Sequence, residues 1–276
     1  MHGQFVEYQT VSGADPLRQG DVLEAVDTDS SAWQMHLIVI TADCDFAFQK
    51  HRGRVTCVPL LPADYYLLQM QIPRLRETLC KKPLTDFKQI LARSSRSAIT
   101  DERLIEWIIE NDAADIVRSL ELAEKYTEKA SQLIGSLKLI YSTQSSLIEA
   151  SHALVDAQLA ANSSLSRASA VKRVHEKIQS TFSQTPGDAL FVSAFAPNHE
   201  DGYFAYLRHL EQIWEPEIAI TPGRREVNYR RVARLRDRYV HALVQRFAMV
   251  FMPIGLPDEY ENMRSFHSDL LTEAIR

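Results

Sequence analysis

The chain has 276 residues, 45% of them hydrophobic, a formal net charge of −5 and an isoelectric point near 6.0. That length and apolar content suffice for one large buried core or two modest ones, which excludes disorder as the overall state. The acidic balance excludes coating of nucleic acid or anionic membrane by bulk charge, so any such contact must be local.

From the N-terminus, Asp21–Val26, His36–Thr41 and Arg54–Leu61 read as strands, rich in β-branched residues and separated by polar turns. The middle run is apolar without alternation, the pattern of a strand buried on both faces at the centre of its sheet. From about residue 64 the period becomes helical. Thr100 is a good N-cap for a helix over 101–111, whose stripe is Leu104, Ile105, Ile108 and Ile109. A longer run from about Ala114 to Tyr141 carries Ile116, Leu120, Leu133, Ile134, Leu137 and Ile140 at helical spacings, with a break expected near Gly135. Further helices are expected over 145–161 and 165–182.

Pro186–Gly187 ends the helical block, and strand character returns over Ala189–Phe195 and Tyr203–Leu210, which pair as a hairpin. A basic stretch follows Pro222–Gly223, then an amphipathic helix from about Ala233 to Phe251, stopped by Pro253 and Gly255. The fold class is therefore α+β. Two β parts, each too small to be stable alone, complete one barrel or sheet together. The expected organisation is a β-barrel domain with a C-terminal helix from 1–63 and 185–276, and a helical insertion over 64–184.

Cys44, Cys57 and Cys80 form no C-x-x-C pair, and their odd number suggests neither a disulfide framework nor a zinc ribbon; a reducing cytoplasm fits best. The start of the chain lacks a basic segment followed by an apolar stretch, and no run of about 18 apolar residues occurs. Neither secretion nor membrane spanning is expected. G-x-S-x-G, G-x-x-x-x-G-K, G-x-G-x-x-G and H-E-x-x-H are all missing, so no cofactor is expected.

Gly20-Asp-Val22, the strand ending Ile40-Thr-Ala-Asp-Cys-Asp45, and Val55-Thr-Cys-Val-Pro-Leu60 resemble a divergent bacterial family with an SH3-like small β-barrel related to MazF/PemK-type toxins. Gly187-Asp-Ala-Leu-Phe191 and Leu243-x-x-Arg246-Phe-Ala-x-x-Phe251-x-x-Ile-Gly-Leu-Pro257 resemble the closing parts of the same family. The resemblance implies an SH3-like barrel assembled from the two ends of the chain, and a setting in bacterial antiphage defence or a toxin–antitoxin-like system. Toxins of this type cleave RNA with an Arg at the start of the strand after the Gly-Asp element and a Ser or Thr after the later Val-x-x-Pro strand. Here those places hold Met35–His36 and Leu60–Leu61. Toxin-like cleavage is accordingly not the leading expectation.

Three clusters carry candidate chemistry. Asp43, Cys44 and Asp45, at the end of a buried strand, could bind a metal together with His36 or His51; the same residues also fit a capped turn with Cys44 packed as a small apolar side chain. Arg224, Arg225, Arg230, Arg231, Arg234, Arg236, Arg238 and Arg246, with Tyr229 and Tyr239 between them, make a concentrated basic patch suited to phosphate, base or acidic-protein contacts. It equally fits a face ion-paired to the acidic helices. Arg236-x4-His241 matches the pattern of HEPN-type ribonucleases, in which Arg236 would stabilise charge on the phosphate and His241 would transfer a proton. The leading expectation is a non-catalytic binding or adaptor component, with a protein partner, or a nucleic acid, at the arginine patch. The alternative is a ribonuclease, HEPN-like or degenerate MazF-like.

Overall fold

The structure, a computed structural model, describes residues 6–93, 99–220, 226–252 and 258–275. Strands from both ends of the chain hydrogen-bond into one sheet that curls into a half-barrel, and a block of helices is inserted between them. The strands are β1 (Tyr8–Gln9), β2 (Asp21–Ala25), β3 (His36–Val39), β4 (Arg54–Pro62), β5 (Ala189–Val192), β6 (Tyr203–Tyr206), β7 (Glu211–Trp214), β8 (Ile218–Ala219) and β9 (Tyr229–Leu235). Their order is β1-β9-β2-β3-β4-β6-β5, with β7 also on β4 and β8 on β9. Pairing is antiparallel except between β8 and β9.

β3 lies between β2 and β4 with all four residues buried, as its continuous apolar run predicts. β4 is long enough to serve two neighbours on one side. Its first half meets β7 (Val55 opposite Ile213) and its end meets β6 (Leu61 opposite Phe204), so the sheet wraps around it. One face buries Val22, Ile38, Val58, Leu60, Phe195, Leu235 and Leu243; the other buries Leu23, Leu37, Val39, Val55, Cys57 and Ile213. The period of two along β2 to β4 accounts for both sets.

A short helix α1 (Ala32–Met35) precedes β3, and α2 (Asp43–Ala47) follows it. After β4, α3 (Ala63–Tyr66) passes through a π-helical turn, Leu67–Gln71, into α4 (Ile72–Leu91). Then come α5 (Asp101–Glu110), α6 (Ala113–Ser119), α7 (Glu124–Tyr141), α8 (Leu147–Ala161) and α9 (Arg167–Ser183). Their stripes share a separate core that includes Phe87, Leu104, Ile108, Leu133, Leu137 and Leu154. Side chains capping α5, α6, α8 and α9 are Thr100, Asp112, Ser146 and Ser166, each accepting from a backbone N–H of the first turn. The helical core meets the sheet through Tyr66, stacked on Phe204 at 4.3 Å, and Phe182, 5.5 Å from the same ring. The chain closes with α10 (Asp237–Phe251) and α11 (Asp258–Ile275).

Several expectations change. The helix break falls at 120–123, where Glu121 takes φ +47°, and α7 runs unbroken through Gly135. Burial of Leu133, Ile134 and Leu137 around that glycine outweighs its helix penalty of about 1 kcal/mol. The hairpin strand ends at Tyr206, and β7 is a further strand after a turn. Ala233–Leu235 belong to β9, not to the start of a helix; α10 begins at Asp237, because pairing with β2 holds the arginine-rich segment extended. The helix α11 was not expected. Pro222, Gly223, Pro253 and Gly255 lie outside the described residues. Among the described residues no helix is long and apolar enough to cross a membrane.

Candidate functional site

The Asp43–Cys44–Asp45 segment opens α2, with both acids in its first turn. Asp43 is tied to its neighbours. Arg18 donates to its Oδ2 from Nη2 at 2.7 Å and from Nε at 3.1 Å, and the Gln19 N–H donates to its Oδ1 at 2.8 Å. Partial burial pushes the Asp43 carboxyl up, but the Arg18 hydrogen bond and charge outweigh it and hold it below the usual carboxylate range. His51 has both ring nitrogens engaged, Nδ1 with the Asp45 carbonyl at 3.1 Å and Nε2 with Glu215 Oε2 at 2.8 Å. The Glu215 hydrogen bond raises its pKa. Cys44 is exposed, and all three cysteines are free. Arg18, Asp43, His51 and Glu215 border an open surface cavity of about 650 Å³, lined also by Leu17, Phe46 and Arg52. His36 stands at the opposite end of β3, so four residues of strand, about 10 Å, separate it from the α2 turn. Among the described residues, Asp43, Cys44 and Asp45 do not gather with His36 or His51 as a ligand set, and His51 meets the main-chain carbonyl of Asp45.

The arginine segment is strand β9, and its alternation sends successive side chains to different fates. Asp21, fully buried at the start of β2, receives Arg234 Nε on Oδ1 at 2.6 Å and Nη2 on Oδ2 at 3.1 Å, with Arg231 Nη1 at 3.3 Å. Both guanidiniums also donate to main-chain carbonyls, Arg231 to those of Pro16 and Ser12 and Arg234 to that of Pro16. Arg236 donates to the Tyr8 carbonyl and Arg246 to that of Ala189. These partners are Asp21 and main-chain oxygens, not the acidic helices. Tyr229 is half-buried against the Leu23–Val39 core, and burial pushes its hydroxyl up to about 12. Arg230 and Arg238 stand exposed. Arg224 and Arg225 lie outside the described residues.

Arg236 is the N-cap of α10 and His241 is exposed one and a half turns on. Five residues at about 100° each place them about 140° apart around the axis.

A constellation that the sequence reading did not assemble stands elsewhere on the sheet. Glu24 and His36 are directly opposite each other on β2 and β3, with His36 Nε2 3.3 Å from Glu24 Oε1. His199 Nε2 lies 3.5 Å from the same oxygen. It arrives on the β5–β6 connection through a turn in which its N–H donates to the Ala196 carbonyl at 3.1 Å. Pro197 and Asn198 occupy the two central positions, with Asn198 at φ +67°, which is type II turn chemistry. Phe195 stacks on His199 at 4.6 Å and packs against His36 at 4.9 Å, so one apolar ring fixes both imidazoles. His36 is buried and its Nδ1 has no hydrogen-bond partner. Burial, opposed by Glu24, lowers its pKa. The ligand atoms of Glu24, His36 and His199 lie within 4.8 Å of one another. His36 was a sequence candidate; the Pro-Asn pair before His199 was the one local signal for the second histidine, and Glu24 had none. No family model, no curated protein and no solved structure matches this chain.

Proposed function

We propose that this protein is a non-catalytic binding component of a bacterial defence or toxin–antitoxin-like system, and that it engages a protein partner through α11. The observation carrying this reading is an uncovered apolar stripe. Tyr260, Met263, Phe266 and Leu270 follow one another at spacings of three, three and four, and remain 51, 58, 57 and 44% exposed. Those spacings put all four on one helix face. Met249, Phe251 and Met252, at the end of α10, are exposed as well. Each such side chain, about half exposed, contributes roughly 1 kcal/mol when a partner removes it from water, and a helix with this stripe suits an apolar groove. Glu259, Arg264 and Asp269 are exposed on the same helix, so a groove with a mixed polar rim matches it.

The arginine segment is the weaker docking surface, because Arg231 and Arg234 are held by Asp21. The defence or toxin–antitoxin setting, the adaptor role and the SH3-like, MazF/PemK-like character of the barrel rest on the resemblance of the terminal segments. It is supported by the pairing of β2 with β9 and of β4 with β6, which joins those segments in one curled sheet.

The test is capture of partners from the native host by the tagged full chain, alongside Phe266→Ser and the double variant Arg236→Ala, His241→Ala. A specific partner lost with Phe266→Ser and kept by the double variant is the expected result. Three outcomes overturn the reading: capture indifferent to Phe266→Ser, self-association through α11 with no other partner, or RNA cleavage by the purified chain that the double variant abolishes.

A further inference from the structure

Glu24, His36 and His199 come from two strands and a turn that is far away in sequence, yet their ligand atoms meet at one point on the sheet. We propose that these three side chains hold one divalent transition-metal ion, zinc by preference, which staples the β5–β6 connection onto β2 and β3. Two imidazole nitrogens and one carboxylate oxygen are a recurrent zinc donor set, with bonds of about 2.0–2.1 Å. Ligand atoms at the corners of a tetrahedron of that bond length are separated by about 3.3 Å. The two nitrogens stand 3.3 and 3.5 Å from Glu24 Oε1, which is that edge length.

Preorganisation points the same way. Phe195 fixes both ring planes, the Ala196–His199 turn fixes the backbone of one histidine, and sheet register fixes the other against Glu24. An independent observation concerns His36 itself. It is 8% exposed and packs against Phe195 and Tyr203, yet its Nδ1 lacks any hydrogen-bond partner. A buried polar atom left unpaired is destabilising, and an apolar side chain would pack there without that penalty. The imidazole stands there at that cost, with Nε2, which faces Glu24 Oε1, as its one engaged nitrogen. The side chains of Glu24 and His199 are 37 and 25% exposed, so the fourth coordination position opens to solvent and takes a water or a ligand atom.

The test uses the full chain, stripped with chelator and titrated with zinc against a competing indicator, then with cobalt. One zinc ion per chain is expected, together with the visible absorption of tetrahedral cobalt. Glu24→Gln and His199→Ala should each weaken zinc by at least about a hundredfold, more than loss of an outer-shell partner produces, and remove the cobalt bands. Both residues are partly exposed, and circular dichroism verifies that the variants fold. Zinc bound no more tightly by the wild-type chain than by these variants, or cobalt spectra unchanged by them, overturns the proposal and leaves a hydrogen-bonded cluster only.

Discussion

Arg234 closes a fork on Asp21, Nε to Oδ1 at 2.6 Å and Nη2 to Oδ2 at 3.1 Å, across directly opposed positions of β9 and β2. Arg231 reaches the same carboxylate, and all three groups are largely or fully shielded from water. The pair therefore joins a strand from near the start of the chain to one from near its end. Removing one partner leaves an uncompensated buried charge, which is destabilising by about 3–5 kcal/mol. Asp21→Ala is expected to lower the unfolding free energy by that amount in urea titration, whereas Arg230→Ala, on the same strand but exposed, should change it by less than about 0.5 kcal/mol.

Gly20, next to that carboxylate, adopts φ +86°, and a Cβ built there would overlap Val240 Cγ2 of α10. Left-handed backbone and overpacking combine at this position, so Gly20→Ala is expected to destabilise by about 2–4 kcal/mol. Thermal unfolding measures it, and truncating Val240 to Ala in the same chain should recover the part due to overlap.

Gly135 is the opposite case. It lies within α7 at ordinary helical φ, and an added Cβ would meet nothing within 4 Å. Gly135→Ala is expected to stabilise the chain by about 0.5–1 kcal/mol through reduced freedom of the unfolded state and better helix propensity. The readout is the denaturation midpoint.

The His51–Glu215 pair makes stability depend on pH. Its hydrogen bond raises the folded-state pKa of His51 above the unfolded value near 6.5. Below the unfolded value both states carry the proton and the full contribution is present; it is lost as pH rises through the folded pKa. Because Glu215 is half exposed, the contribution is at most about 1 kcal/mol. His51→Gln should therefore lower stability relative to wild type more at pH 5.5 than at pH 9, measured as the difference between the two chains.

Phe266→Ser should separate stability from binding. Its ring is 57% exposed, so the unfolding midpoint should hold to within about 0.5 kcal/mol while partner capture is lost. A large fall in stability would instead mark Phe266 as part of the folded core.

Much of the architecture was legible because it is written in local periods. The apolar run Leu37–Val39 announced a strand buried on both faces, and the stripe Leu104, Ile108 announced the buried side of α5. Thr100 marked the start of that helix by its cap. Where a local signal competed with a distant one, reading failed. Gly135 resembled a break, but the packing of Leu133 and Leu137 carries the helix through it. Ala233 to Leu235 read as the start of the following helix, yet they belong to the strand that pairs with β2.

By itself the sequence determined the strand and helix types, the hairpin after Pro186–Gly187 and the basic character of the 230–238 segment, since each depends on neighbours within a few residues. Only the tertiary structure decided that Asp21 would neutralise Arg231 and Arg234, and that Glu24, His36 and His199 would meet. The first depends on the register of β2 against β9 and the second on register and the turn before His199; each brings residues more than 160 positions apart to within 3.5 Å, and no local period encodes such closure.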